Sequence, residues 1–223
     1  VRRGRQVSLL TLDDGADAYE VSPGVERVRL GVAGASTGAF NALWNNWTRL
    51  RTLRRAILSR KPTRVISFMD QTNILTLMAL RGTGIPVIVS QRIDPRHYQI
   101  GRGWEWLRRR LYPAADIVVV QTESVARWAR TFVSPHKVRI IPNPVAVPPG
   151  AEAGQSPPWL PTGRYIAALG RLDRQKGYDL ILHAFAELPA QFNDVRLVIM
   201  GEGPERAALE HLAASLAVSD RVI

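Results

Sequence analysis

The chain contains no cysteine, which excludes disulfides and thiolate metal sites and suits a reducing compartment. It has no apolar run near the eighteen or so residues that a membrane-spanning helix requires, so no bilayer-crossing segment is expected. Its histidines are few, and His97, His136, His183 and His211 stand too far apart to show a ligand spacing. Lysine is scarce as well: 3 of the 30 basic residues are Lys and 27 are Arg, an excess to which the codon bias of a GC-rich genome can contribute. The 223 residues begin at Val1, not at a methionine, and stop at Ile223 where residues 221–223 start to read as a strand. A fragment at both ends is expected, so the lack of a signal peptide carries no weight.

What is present is globular in composition. Hydrophobic residues make up 46% of the chain, enough for the core of one large domain or two small ones. The net charge of +11 is unevenly placed. Through Val147 there are 23 Arg plus Lys against 10 Asp plus Glu, a balance of +13; from Pro148 onward there are 7 against 9, a balance of −2. A basic front half points to a nucleic acid, an anionic membrane surface or a phosphorylated substrate.

Taken in order, residues 7–12 and 25–32 read as short strands, and Gly34-Ala35-Ser36-Thr37-Gly38 as a plain loop that lacks the Lys and Ser/Thr of a P-loop. Residues 40–60 carry Leu43, Trp47, Leu50, Leu53 and Ile57 at helical spacing among Arg49, Arg51, Arg54, Arg55 and Arg60. Two readings stay open for this helix. Its apolar stripe packs on a sheet while the arginines are solvated, or it lies with Trp44 and Trp47 on an anionic membrane or holds a phosphate-bearing acceptor. Strand 64–68, helix 73–80 and strand 86–90 then alternate, followed by helix 104–112, strand 117–120, helix 125–132 with Thr122 or Ser124 as its cap, and strand 138–141. Such alternation predicts a parallel sheet with ligands at the carboxyl ends of its strands. Asp70, Gln71 and Asn73 fall at one such end, and Gln91, Arg92 and Asp94 at another; these are acceptor-site candidates.

Seven of the fifteen prolines lie in residues 142–161, which marks a linker. Beyond it come strand 165–169, helix 178–188, strand 196–200, a Gly201-Glu202-Gly203-Pro204 turn and helix 205–216. The domains expected are 1–147, a Pro-rich linker over 148–163, and 164–223. Between strand 165–169 and helix 178–188 stands Gly170-Arg171-Leu172-Asp173-Arg174-Gln175-Lys176-Gly177. A helix N-terminus carries free N–H groups and the positive end of the helix dipole, and Arg171 and Lys176 add full charges beside it, so the octet reads as a diphosphate site. It also reads as an ordinary strand-to-helix turn with solvated basic residues.

Gly170-Arg171-Leu172 with Lys176-Gly177, then Val198-Ile199-Met200-Gly201-Glu202-Gly203-Pro204 with Arg206, Leu209 and Glu210, and Ile140-Ile141-Pro142-Asn143-Pro144-Val145 together resemble the family 4 retaining glycosyltransferases of GT-B type, as do 65–68 and 115–122. The resemblance covers residues 60–223 and is nearest to enzymes that extend polyprenyl-diphosphate-linked glycans or exopolysaccharides. It implies an α/β fold of two Rossmann-like parallel-sheet domains, the second incomplete here. It implies transfer of a hexose or N-acetylhexosamine from a nucleotide sugar, UDP-linked by expectation, to a glycan acceptor, in the cytoplasm at the inner face of the membrane. Arg171 and Lys176 would hold and neutralise the departing diphosphate. Gly170, Gly201, Glu202 and Gly203 would line the donor, the glycine turn letting backbone approach the base. Asp70, Asn73, Arg92, Asp94 and Asn143 would lie on the acceptor side. No Asp-x-Asp pair occurs, and the resemblance implies no metal.

Two departures from the family pattern stand out. The glycine-rich loop after the first strand is absent, and the family's glutamate pair, with seven residues between its members, is expected past Ile223. Glu202 and Glu210 share that spacing but fall in the wrong elements. Two other readings remain: an inactive member of the fold, and a basic nucleic-acid-binding protein, against which no recognised nucleic-acid motif appears.

Overall fold

A computed structural model describes residues 4–15, 20–33, 39–144 and 157–223, with only the backbone described for 39–44. The loop at 34–38, the side chain of Trp44 and most of the Pro-rich linker lie outside the described residues. The chain divides into two compact units, Val1–Val145 and Ala146–Ile223.

In the first unit, β1 (Val7–Thr11) and β2 (Val25–Arg29) form a parallel pair. A separate four-stranded parallel sheet runs in the order β3 (Val65–Phe68), β4 (Val87–Ser90), β5 (Ile117–Val120), β6 (Val138–Ile140). Its crossovers are α2 (Asp70–Ala79) between β3 and β4, α3 (Arg102–Leu111) between β4 and β5, and α4 (Glu123–Ala129) between β5 and β6; α1 (Ala39–Leu58) precedes β3. Val89, Val118 and Val120 are fully buried, and Ile74, Leu75 and Leu77 of α2 join the same core. That is the apolar content a sheet buried by its crossovers requires.

The apolar stripe of α1 behaves as its period predicts, with Leu53 and Ile57 buried and Leu50 packed on the core. Its arginines do not all stand in solvent. Arg49 Nε donates to Val32 O at 2.7 Å, Arg54 donates to Ala79 O at the end of α2, and Arg60 binds both carboxylate oxygens of Glu26 on β2 at 2.7 and 2.9 Å. Part of the front half's positive charge therefore clamps α1 to its neighbours.

The Glu26 carboxyl, held by Arg60 and by Ser8 Oγ at 2.6 Å, is lowered to about 2 from its ordinary 4.5. A depressed carboxylate contributes stability that is whole above the ordinary value and fades as pH falls through the folded value. Glu26→Gln is expected to flatten the melting temperature against pH between 4.5 and about 2. An unchanged acid profile would remove Glu26 from that dependence.

Several boundaries differ from expectation. The second helix starts at Asp70, not at 73, because Asp70 is fixed by buried partners and Asn73 N donates to Met69 O at 2.8 Å. Thr122 is the cap of α4, its Oγ1 accepting from Val125 N at 3.3 Å, and α4 ends at Ala129. The chain then turns so that Phe132 meets Trp128 edge-on at 4.8 Å.

In the second unit, β7 (Tyr165–Leu169) and β8 (Arg196–Met200) pair in parallel across α5 (Tyr178–Ala186), and α6 (Arg206–Ser215) follows β8. Leu182, Phe185, Leu197, Ala213 and Val218 form its core. A third strand begins where the sequence suggests: Val222 bridges Leu197 in parallel, Ile199 N donates to Ile223 O at 2.7 Å and Ile223 N to Leu197 O at 2.8 Å. Among the described residues no helix is long and apolar enough to cross a membrane.

Candidate functional sites at the carboxyl ends of the two parallel sheets

In the second unit the β7 strand does not stop pairing at Leu169. Gly170 N donates to Met200 O at 3.0 Å, Leu172 N to Glu202 O at 2.9 Å, and Glu205 N to Leu172 O at 3.2 Å. The 170–172 loop is thus zipped along the 200–205 loop, with Leu172 buried as its anchor. The contact is too close for side chains: a Cβ on Gly201 would lie 1.9 Å from Gly170 O, and one on Gly203 would lie 2.2 Å from Leu172 O. Approach of backbone to the donor base is the reason the family resemblance implies for these glycines. The structure accounts for them by the approach of one loop to another.

Beyond Leu172, Asp173 caps a short 3₁₀ turn, Arg174–Lys176, by accepting from Gln175 N at 3.2 Å. Its other oxygen accepts from Arg171 Nη2 at 2.8 Å. Gly177, at φ 67, makes the left-handed step into α5, which residues other than glycine take at a cost. Tyr178 Oη donates to Gly170 O at 2.9 Å, tying the first turn of α5 back to the end of β7. Arg171 keeps 71% of its side chain exposed. Lys176 is exposed, passes beside Gly170 and has no ion pair among the described residues. Two cations therefore stand at the mouth of a helix N-terminus on a loop braced at both ends, an arrangement that attracts an anion.

A cavity of about 290 Å³ lies beside this loop, lined in part by Leu172, Ile199, Gly201, Arg206, Leu209 and Glu210. Arg206 holds Glu202 at 2.6 Å and Glu210 at 3.0 Å, so the two glutamates with the family's spacing are partners of one arginine. Glu202 is exposed but engaged in this pair.

In the first unit the carboxyl edge of the sheet carries two groups of polar residues. One is internal. Arg108 of α3, only 2% exposed, donates from Nη1 to Asp70 Oδ1 at 2.5 Å and from Nη2 to Glu105, and its guanidinium lies 4.8 Å from the Trp128 ring. Gln91 Nε2 donates to Asp70 Oδ1 at 2.6 Å. Tyr112 Oη donates to Gln91 Oε1 at 2.9 Å and accepts from Asn73 Nδ2 at 3.1 Å, while Asn73 also donates to Ser90 O. Burial raises the Tyr112 hydroxyl above its ordinary range, so it stays protonated and able to donate. Asp70 and Asn73 are thereby members of a buried network that joins α2, α3 and the end of β4, not open groups at the rim. Sequence spacing marks them as acceptor-side residues; the structure engages them with Arg108, Gln91, Ser90 and Tyr112.

The other group faces out. Arg92, just past β4, donates to Asn143 Oδ1 and stands 5.9 Å from the ring of Phe68 at the end of β3. Gln121 Nε2, past β5, donates to the same Asn143 oxygen at 2.5 Å. Arg92 and Asn143 are thus brought together from positions 51 apart. Asp94 is occupied with Arg96, whose guanidinium and backbone N–H hold its carboxyl down to about 2. Two features escape a reading by spacing: the buried charge on Arg108, which stands in a run of three arginines, and Met69. Met69 takes φ 72 and ψ 147 between β3 and α2, a region that costs a residue with a side chain about 1–3 kcal/mol. Nothing in the local sequence marks either.

Parallel strands joined by helical crossovers, β3 to β6 in the first unit and β7 to β8 in the second, with polar loops at the carboxyl edges of those sheets, are Rossmann-like halves of a GT-B glycosyltransferase fold, and solved structures of that fold agree. The lipopolysaccharide outer core galactosyltransferase WaaB, in apo form, matches with a TM-score of 0.59 at 13% identity over 90% of this chain and 52% of its own. Anabaena HepE in complex with UDP-glucose matches with a TM-score of 0.58 at 13% identity, over 89% of this chain and 54% of its own.

Residues 1–144 match the family described as Glycosyl transferase 4-like domain and residues 152–223 that described as Glycosyl transferases group 1; the chain belongs to the glycosyl transferase 4-like family. A curated relative is the Campylobacter jejuni GalNAc-alpha-(1->4)-GalNAc-alpha-(1->3)-diNAcBac-PP-undecaprenol alpha-1,4-N-acetyl-D-galactosaminyltransferase, 26% identical over 214 residues, or 96% of this chain. The chain spans 58% of that relative's length.

Proposed function

We propose that this chain supplies the acceptor-side unit and part of the donor-side unit of a retaining glycosyltransferase that moves a hexose or N-acetylhexosamine from a UDP-sugar to a glycan on a polyprenyl diphosphate. The observation that carries this reading is the braced 170–177 loop, which presents Arg171 and Lys176 before α5 on a unit of GT-B type. The neighbour solved with UDP-glucose and the relative named for an undecaprenol-linked glycan support the donor and acceptor classes.

In this mechanism Lys176 and Arg171 bind the diphosphate and take up the negative charge that grows on it as the bond from the donor sugar's anomeric carbon to the diphosphate oxygen breaks. Such preorganised cations stabilise developing charge without having to reorganise as the bond breaks. Their charges serve the role a metal would have, and the sequence holds no Asp-x-Asp pair to place one. Arg92 and Asn143 orient the acceptor glycan, and Asp70, held by Arg108, fixes Gln91 and with it the segment that carries Arg92. Retention follows if the acceptor hydroxyl attacks from the face the diphosphate leaves, its proton passing to that diphosphate. The basic first unit meets an anionic membrane surface from the cytoplasmic side, where a lipid-linked acceptor lies.

Calorimetric titration with UDP and GDP tests the donor site. UDP is expected to bind, and Lys176→Ala to weaken it tenfold or more, with an unchanged melting temperature because the side chain is exposed. Binding that is indifferent to Lys176→Ala and Arg171→Ala, or absent for both nucleotides in a folded protein extended to the relatives' full length, would sink the assignment.

A further inference from the structure

The outward stripe of α3 has no role in the site described above. Arg102, Trp106, Arg109 and Arg110 lie within about 100° of arc at the helical turn of about 100° per residue. Trp106 is 65% exposed, Arg102 and Arg110 are exposed and Arg109 is half exposed. The acid beside the stripe is neutralised: Glu105 gives one oxygen to Arg108 and the other to Arg109 at 2.9 Å. The inner side is fixed, with Leu107 and Leu111 packed on the core and Arg108 locked to Asp70. The helix therefore presents one large aromatic side chain beside Arg102 and Arg110, while Arg109 is engaged by Glu105 and lies 5.1 Å from the Phe132 ring.

We propose that this stripe is a docking surface for an anionic phospholipid bilayer, which deepens, and rests on, the membrane contact proposed above. Charge complementarity is the argument. An indole has an apolar body and an N–H that suit the headgroup region, and guanidinium groups bind lipid phosphates. Nucleic acid fits the stripe less well, because a single-strand platform needs successive aromatics on which bases stack and this stripe has one. The contrast with α1 selects α3: Trp47 is also exposed, but the Arg51 guanidinium lies 4.4 Å over its ring. Trp106 has no cation or ring against it among the described residues.

The test is co-sedimentation of the chain with vesicles of equimolar phosphatidylcholine and phosphatidylglycerol, and with phosphatidylcholine alone, at low and moderate salt. Binding to the anionic vesicles only, weakening with salt, is expected. Arg102→Gln and Arg110→Gln should each lower it about fivefold, the worth of one basic residue at such a surface, and Trp106→Ser by a similar factor. The triple variant should lose binding and keep its melting temperature and its UDP titration. Equal vesicle binding by wild type and triple variant overturns the proposal. So does no vesicle binding by wild type alongside capture of an RNA oligonucleotide that the triple variant loses. The two readings separate cleanly: vesicle binding lost in the variant with no UDP binding by the extended protein keeps the docking surface and sinks the donor site, and the reverse result sinks only the docking surface.

Discussion

Arg108→Ala is expected to destabilise the first unit by about 3–5 kcal/mol, the range for removing one member of a buried ion pair. The reason is what remains. Asp70 is 5% exposed and would keep only Gln91 Nε2 as a donor, leaving a carboxylate largely uncompensated in the interior. In the same substitution the face of Trp128 loses its cation and Glu105 keeps only Arg109 as a partner. For a chain of this size the loss corresponds to a fall in melting temperature on the order of 10 °C. A second variant separates charge from volume. Arg108→Met with Asp70→Asn removes both charges and keeps most of the packing, and paired replacements of this kind are often neutral. It should recover most of the loss. Thermal unfolding of the three proteins decides the matter: a single variant that melts within about 1 °C of wild type would mean the pair is solvated and does not anchor α3.

Gly201→Ala is expected to cost about 3 kcal/mol in the second unit and to abolish any nucleotide binding that depends on Lys176. The added methyl group would sit 1.9 Å from Gly170 O, where no rotamer exists to relieve it, so the two loops must part. Parting them breaks the bonds from Gly170 N to Met200 O and from Leu172 N to Glu202 O, each worth about 1 kcal/mol, with overpacking adding about 1–3 kcal/mol. Because the 170–172 loop carries Arg171 and leads to Lys176, its displacement moves both cations. Gly163→Ala is the matched control, since a Cβ there meets nothing within 4 Å. Denaturant unfolding and UDP titration of the two variants should differ in both respects. If Gly201→Ala behaves like Gly163→Ala, the loops are not held together as described.

The elements and their order were legible because each is written in local spacing. The apolar runs at 117–120 and 196–200 became β5 and β8, and the three- and four-residue steps of α1 placed Leu53 and Ile57 in the core. Alternation of strand and helix was enough to predict parallel sheets with polar loops at their carboxyl ends. The Gly170 octet also stood out, because a glycine, two cations and a helix start are all within eight residues. Side-chain partners were not legible in the same way. Asp70 and Asn73 looked like open polar residues at a strand end, and only Arg108, 38 positions later in the chain, turned that region into an internal network. Arg108 itself looked like its neighbours Arg109 and Arg110, since a run of arginines does not say which one the helix turns inward.

By itself, then, the sequence determined where strands and helices form and where charge accumulates, because these depend on residues a few positions apart. Tertiary structure alone decided which arginines clamp helices and which face solvent, that Gly201 and Gly203 are required by a neighbouring loop, and that Met69 takes a conformation suited to glycine. Those outcomes depend on groups brought together from distant positions, such as Gly170 against Gly201 and Arg60 against Glu26, and local spacing carries no record of such meetings.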